Sequence, residues 1–138
     1  MIIVDASVAV KWVVSESGST EAAALLDQGR LGAPTLWLSE ASNALWAKVM
    51  RHQLTPEEAR GQAAELADAP VVPIALPALL PVAMRLALEL EHPIYDCFYL
   101  SAAIQRDTHV VTADRRFFER ATGRPALADR VKLLNGRA

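Results

Sequence analysis

The sequence contains one cysteine, Cys97, and only three histidines among 138 residues. A single cysteine excludes a disulfide within the chain, cannot form a thiolate metal site alone, and fits a reducing cytosol. His52 and His109 are expected at the surface or in packing, and His92 precedes a proline in a predicted turn. None of the three has the spacing of a zinc ligand. The sequence therefore indicates a cytoplasmic protein whose polar chemistry rests on other side chains.

The sequence also lacks a segment that could cross a membrane. Its longest uncharged stretch, Ala69 to Met84, is interrupted by prolines and is shorter than the roughly 20 residues of a membrane span. No basic-then-apolar secretory signal opens the chain, because an acid already stands at Asp5. With 52% hydrophobic and 22% charged residues, the composition is that of a folded globular protein. We expect one soluble domain over residues 1–138.

The net charge of −2 is small but unevenly distributed. Residues 115–138 hold seven Lys and Arg against two acids, whereas the rest of the chain is acidic. A basic segment of this kind can bind phosphates or an acidic partner, and it can equally be a solvated helix face.

Strand and helix patterns alternate along the chain. Apolar runs predict strands at residues 2–4, 31–33, 71–76, 110–112 and 131–134. Helices are predicted at residues 7–14, 20–28, 35–50, 55–68, 82–90, 95–106 and 115–121. The alternation predicts an α/β protein, a three-layer α/β/α fold with a central, mostly parallel sheet of four or five strands. Pro73 cannot donate to a strand ladder, so its strand should lie near a sheet edge.

Four acids fall at related places in this predicted fold. Asp5 and Asp114 each follow a strand, and Glu40 and Asp96 lie in the early turns of helices. Taken alone, Asp5 is best explained as a helix N-cap, and a carboxylate in a first helical turn is also ordinary. However, binding crevices of parallel sheets lie at the carboxyl ends of strands, near a switch in strand order. We therefore expect all four carboxylates to converge on one edge.

Convergent carboxylates have a defined chemistry. They repel one another and would partly protonate unless divalent cations neutralise them. Ligands that are all oxygen suit Mg²⁺, with Mn²⁺ as a possible substitute, and such a site implies phosphoryl chemistry. Three short polar residues could orient acids, waters or phosphate oxygens, although each is also a common local hydrogen-bonding residue: Ser7, Asn43 and Thr112.

These residues form an ordered set of motifs: D-x-S (Asp5, Ser7), E-x-x-N (Glu40, Asn43), Y-D (Tyr95, Asp96) and T-x-D-x-x-F (Thr112, Asp114, Phe117). From Met1 to about Phe118 the chain resembles the PIN-domain nucleases, in particular the VapC-type toxins of toxin–antitoxin pairs. The resemblance implies that Asp5, Glu40, Asp96 and Asp114 are the catalytic, metal-binding acids of a Mg²⁺-dependent endoribonuclease. It also implies structured RNA such as tRNA or rRNA as substrate, a homodimer, and a small antitoxin that covers the acidic pocket.

Some features of the chain depart from that family or leave other functions open. Cys97 stands where the family more often has Ala, and we expect it to be a small buried residue. Arginines of the basic segment are candidates for RNA contacts: Arg115, Arg116, Arg120 and Arg124. A noncatalytic PIN-like module that binds RNA or protein, and a nuclease of RNA maturation, remain alternatives. A haloacid-dehalogenase-like phosphatase would need an Asp at Ser7, and a response-regulator receiver would need adjacent acids after the first strand.

Overall fold

The computed structural model describes residues 1–134, which form five strands and seven α-helices. The strands are β1 (Ile2–Val4), β2 (Leu31–Pro34), β3 (Val71–Ile74), β4 (Val110–Thr112) and β5 (Val131–Leu133). The helices are α1 (Ala6–Ala9), α2 (Ser19–Leu25), α3 (Trp37–Met50), α4 (Pro56–Ala67), α5 (Leu76–Leu90), α6 (Ile94–Gln105) and α7 (Arg115–Thr122). Short 3₁₀ turns follow α1 and α7, at Val10–Trp12 and Pro125–Leu127.

The five strands form one sheet in the order β3-β2-β1-β4-β5, and every pairing is parallel. Helices cover both of its faces, which confirms the predicted three-layer α/β/α fold. The chain builds the sheet from β1 toward β3 and then returns to the other side of β1 with β4. The switch in strand order therefore lies between β1 and β4, where a parallel sheet opens a crevice.

The predicted edge position of the Pro73 strand is confirmed, since β3 pairs only with β2 among the described strands. Pro73 lies beside Ala33 of β2. No described strand pairs with the other side of β3, so no second strand there needs the N–H that proline lacks. The predicted start of α4 is also confirmed. Thr55 and Glu58 form a reciprocal capping box, in which each side chain accepts a hydrogen bond from the other residue's backbone N–H.

Two predicted helix boundaries are wrong. The helix expected at 82–90 begins at Leu76, so Pro81 lies inside α5. Pro81 removes one backbone hydrogen bond, and the buried face of α5, which includes Leu79 and Leu86, compensates for that loss. The helix expected at 7–14 instead divides into the short α1 and the 3₁₀ turn at Val10–Trp12.

Helix α6 is the most deeply buried helix of the fold. Every residue from Cys97 to Ala103 is buried, and α6 packs against α5 and against β1 and β2. A helix that is apolar on all sides is stable only inside a core. This position carries the first turn of α6, with Asp96, to the sheet edge where β1 ends. None of the helices within residues 1–134 is long and apolar enough to cross a membrane.

Candidate active site

The four acids predicted from the sequence meet at the carboxyl end of the sheet. Val4 of β1 lies beside Val111 of β4, so Asp5 and Thr112 are neighbours where the strand order switches. Glu40 and Asp96 are brought there by the first turns of α3 and α6. Like-charge repulsion links the acids: Asp96 and Asp114 act on Asp5, and Asp5 and Asp96 act on Glu40. The four acids therefore share one electrostatic neighbourhood, and their role as a catalytic, metal-binding set stays a prediction.

Asp5 is held by two hydroxyl groups. The hydroxyls of Ser7 and Thr112 donate to the same oxygen, Oδ2, at 2.8 and 2.6 Å. Each hydroxyl also accepts a backbone N–H from the segment after β4, that of Ala113 for Ser7 and that of Asp114 for Thr112, both at 3.0 Å. Asp5 occupies the N-cap position of α1, but its side chain makes no capping hydrogen bond. Asp5 therefore lies at the predicted N-cap position, but its carboxylate does not cap the helix and is hydrogen-bonded to Ser7 and to Thr112 at the end of β4.

Burial raises the pKa of Asp5 from 3.8 to about 6. The hydrogen bond from Thr112 opposes this rise, the charge of Asp96 adds to it, and Ser7 and Asp114 contribute smaller effects of each sign. Asp5 is 5% exposed, so its carboxylate loses nearly all contact with water. No basic side chain is among the causes that set its pKa. A cation would therefore relieve a real electrostatic cost at this position.

Glu40 has a different partner. The Tyr99 hydroxyl donates to Oε1 at 2.6 Å, from a side chain that is fully buried on α6. Burial raises the pKa of Glu40 to about 7, the Tyr99 hydrogen bond lowers it, and the charges of Asp5 and Asp96 raise it further. Burial and the charges of Asp5 and Glu40 raise the pKa of Tyr99, so its hydroxyl remains a donor. The sequence analysis missed Tyr99, whose signal was its place three residues after Asp96, on the same helix face.

Asp96 is bonded to a histidine that the sequence analysis placed only in a turn. Nε2 of His92 lies 2.6 Å from Oδ2 of Asp96, and His92 is buried. Burial raises the pKa of Asp96, while the hydrogen bond and the charge of His92 lower it. The missed signal was the four-residue spacing, which places a residue just before a helix against its first turn. Cys97, the next residue, is buried as expected, and burial together with Asp96 raises its pKa to about 11.

The remaining predicted residues occupy varied positions. Asp114 caps α7, accepting the backbone N–H of Phe117 on Oδ1 at 3.2 Å. Asn43 is exposed on α3, outside the hydrogen-bond network that holds Asp5, Glu40 and Asp96 in the described chain. Arg115 and Arg116 are exposed at the start of α7.

Two of the four candidate RNA-binding arginines contact the protein itself. Arg120 donates to the carbonyls of Leu90 and Glu91, and Arg124 donates to that of Glu89, at the end of α5. Guanidinium groups are favourable there, because the last carbonyls of a helix carry partial negative charge. Their predicted contact with RNA stays a prediction. Residues 135–138 of the basic segment lie outside the described chain.

The chemistry of the cluster suits a hard divalent cation. Its donors are carboxylate oxygens, which Mg²⁺ and Mn²⁺ prefer, and the burial cost of Asp5 and Glu40 has no cationic side chain to offset it. Both hydroxyl bonds to Asp5 end on Oδ2, so Oδ1 takes part in neither. In residues 1–134, no three His, Cys, Asp or Glu side chains already stand in a metal-binding arrangement. The donor set nevertheless consists of the carboxylate oxygens that such an ion prefers.

Comparison with known proteins relates this chain to one protein family and to several solved structures. The chain matches the PIN domain family over residues 2–123. The structure of PAE2754 from Pyrobaculum aerophilum is similar, with a TM-score of 0.64, 23% identity, and coverage of 88% of this chain and 80% of that one. No curated protein matches the sequence.

Two further solved structures share the fold. VapC20 from Mycobacterium tuberculosis, described as a sarcin-ricin-loop-cleaving toxin, gives a TM-score of 0.64 with 16% identity, covering 85% of this chain and 92% of that one. VapBC2 from Rickettsia felis, bound to a DNA fragment from its promoter, gives 0.63 with 14% identity, covering 96% and 98%. Because the sequence identities are low, the structural similarity shows that these proteins share the fold.

Proposed function

The chain belongs to the PIN-domain family, and on that basis we propose that it is a Mg²⁺-dependent endoribonuclease toxin. PIN domains are generally nucleases. The observation that carries the proposal is the cluster of four acids at the strand-order switch, in which Asp5 is buried and Glu40 half-buried, both without a basic partner among the causes that set their pKa values. Such carboxylates are costly to keep ionised unless a cation neutralises them.

In the proposed mechanism Asp5, Glu40, Asp96 and Asp114 hold the cation. Mg²⁺, or Mn²⁺ in its place, supplies activation of a water molecule and neutralisation of charge at the scissile phosphate. Ser7 and Thr112 orient Asp5 through Oδ2, and Tyr99 orients Glu40. Because these donors are built into α1, β4 and α6, the carboxylates reach their positions without ordering a loop. Asn43 remains a candidate for contact with RNA or with ordered water at the rim of the cluster.

The fold neighbours support a toxin of VapC type with an antitoxin partner. VapC20 is described as a sarcin-ricin-loop-cleaving toxin, and VapBC2 as bound to a DNA fragment from its promoter. By analogy we assign structured RNA, tRNA or rRNA, as the substrate class, and a small antitoxin and a second copy of the chain as partners. Exposed apolar side chains offer surface for them: Trp46 is 58% exposed on α3 and Leu88 is 72% exposed on α5. Trp37 is buried and belongs to the core.

A noncatalytic PIN-like module that binds RNA or protein is the second candidate. The observation in its favour is that residues 1–134 contain no metal-binding arrangement of three acidic, His or Cys side chains. The two functions make different demands on Asp5, since cleavage requires its charge and simple binding does not.

Induced expression in a bacterial host separates the two functions. We compare the wild type with Asp5→Asn and with Asp68→Asn, which removes one exposed carboxylate after α4 and is the matched control. The proposal predicts growth arrest with discrete cuts in total RNA for the wild type and Asp68→Asn, and neither effect for Asp5→Asn. Arrest without cuts by all three proteins would indicate toxicity through binding. Well-folded wild-type protein that neither arrests growth nor cuts RNA would contradict the toxin assignment.

A further inference from the structure

His92 contacts both Asp96, through a hydrogen bond, and Phe117, through ring stacking. We infer that His92 is the positioning residue of Asp96, and that an N–H on Nε2 fixes the carboxylate for cation binding. This inference rests on the proposed function, because it concerns how one of the four acids is presented to the ion. It assigns a role to a residue that lies outside the four motifs found in the sequence.

The hydrogen-bond pattern of the ring determines which nitrogen carries the proton. Nε2 of His92 lies 2.6 Å from Oδ2 of Asp96, whereas Nδ1 is buried and has no hydrogen-bond partner in the described residues. A neutral ring with its proton on Nδ1 alone would leave a buried donor unsatisfied and would turn the Nε2 lone pair toward a carboxylate. The network therefore assigns the proton to Nε2, where it is donated to Asp96.

The ring itself is held by α7. It stacks on Phe117, with ring centroids 5.6 Å apart and an angle of 27° between the planes. The backbone N–H of Phe117 donates to Oδ1 of Asp114. One residue of α7 thus touches both the ring that holds Asp96 and the carboxylate of Asp114, so the positions of the two acids are linked.

The corner between α5 and α6, which carries His92, is fastened to the same helix. Arg120 donates to the carbonyls of Leu90 and Glu91 at 3.0 and 2.9 Å, and the backbone N–H of His92 donates to Ala87 at 3.1 Å. Glu91 adopts a left-handed φ of 50°, which ends α5 and turns the chain into this corner. The position of His92 is therefore specified by two helices as well as by its own neighbours in the chain.

Asp96 needs such support because the other acids repel it. Its charge raises the pKa values of both Asp5 and Glu40, and the charge of Asp114 raises that of Asp96. Without the hydrogen bond from His92, the Asp96 carboxylate would move away from the other acids, and its oxygens would be less well placed to bind a cation. Removal of an outer partner of a metal ligand typically costs about 10- to 100-fold in metal affinity.

Three variants test the role. His92→Leu keeps apolar bulk against Phe117 but removes the donor, and His92→Gln supplies an amide N–H close to the position of Nε2. The matched control is Ser101→Ala, which deletes a buried hydrogen bond of the same helix, from Ser101 to the carbonyl of Leu79 at 2.9 Å. Isothermal titration calorimetry with Mn²⁺ measures the dissociation constant of each metal-stripped protein. Thermal unfolding in EDTA is recorded in parallel, and cleavage of RNA is measured with saturating Mn²⁺.

The inference predicts that His92→Leu raises the Mn²⁺ dissociation constant by about 10- to 100-fold. His92→Gln is expected to stay within about threefold of the wild type, and Ser101→Ala is expected to leave the constant unchanged. An unchanged constant in folded His92→Leu overturns the inference, and so does equal weakening in all three variants, which would indicate general packing. If His92→Leu does not fold, His92→Asn, whose amide stops short of the Nε2 position, replaces it with the same expectation.

The failure of this inference and that of the proposed function are distinguishable. Wild-type protein that binds Mn²⁺ and cuts RNA, together with a His92→Leu variant that does both equally well, would refute only the role of His92. Wild-type protein that neither binds Mn²⁺ nor cuts RNA would refute both.

Discussion

Replacement of Asp5 by Asn is expected to stabilise the metal-free protein at neutral pH while it abolishes function. Asn keeps an oxygen that can accept from Ser7 and Thr112, and it removes a buried charge. Burial raises the pKa of Asp5 from 3.8 to about 6. A difference of that size corresponds to about 3 kcal/mol of unfolding free energy, an upper limit because the variant also changes local packing. For a chain of this length the expected rise in Tm is on the order of 10 °C.

The sign and the pH window follow from the direction of the shift. Because the folded pKa lies above the unfolded one, the folded state binds the proton more tightly. The cost of ionising Asp5 is absent below about pH 4, grows between about pH 4 and pH 6, and is complete above pH 6. The stabilisation by Asp5→Asn should therefore be largest near pH 8 and should shrink to roughly 0.5 kcal/mol near pH 4.

Thermal unfolding followed by circular dichroism in EDTA, at both pH values, measures this effect. Asp68→Asn removes an exposed charge and serves as the control that should change little at either pH. A variant at Asp5 that is no more stable than the wild type near pH 8 would refute the reasoning. So would a gain of equal size at both pH values, because the gain would then not arise from ionisation.

Three further predictions address the same cluster. Near pH 8, Mg²⁺ at 100 times its Kd should add about 2.7 kcal/mol to the unfolding free energy of the wild type and so raise its Tm. The rise should shrink toward pH 5, where Asp5 and Glu40 protonate, and a rise that does not depend on pH would contradict this. Tyr99→Phe removes the hydrogen bond that lowers the pKa of Glu40, so the acidic limb of the pH–rate profile should move to higher pH, and an unmoved limb would show that Glu40 does not act in its ionised form. Arg116→Glu should weaken RNA binding and reduce its salt dependence, while the Mn²⁺ affinity measured by calorimetry stays the same. An unchanged RNA affinity would show that this exposed arginine is only solvated and does not contact RNA.

The strands and the acids could be predicted from the sequence because their signals are local. Short runs of β-branched residues predict β1 and β4, and the alternation of strand and helix patterns predicts a parallel sheet. Once the sheet is parallel, acids that follow its strands must share one edge, and the structure places Asp5 and Asp114 there. The start of α5 was missed because Pro77 and Pro81 obscured a helix that tertiary packing stabilises.

The partners of the acids could not be predicted because they depend on packing between distant segments. Local capping rules place Asp5 at the N-terminus of α1, where it lies, but they give no sign that its carboxylate accepts from the hydroxyl of Thr112, 107 residues away. Tyr99 meets Glu40 only because α6 packs inside the fold, beside the strands. Arg120 was recognisable as part of a basic segment, and its contact with the end of α5 follows from the packing of α7.

The most direct test of the central claim is cleavage of structured RNA by purified protein as a function of divalent metal, for the wild type and for Asp5→Asn. We expect discrete cuts with Mg²⁺, no cuts in EDTA, recovery with Mn²⁺, and loss of at least about 100-fold in the rate for a folded Asp5→Asn protein. Asp68→Asn should cut like the wild type. Equal cleavage in EDTA, or equal cleavage by Asp5→Asn, would contradict the claim that these four acids form a metal-dependent nuclease site.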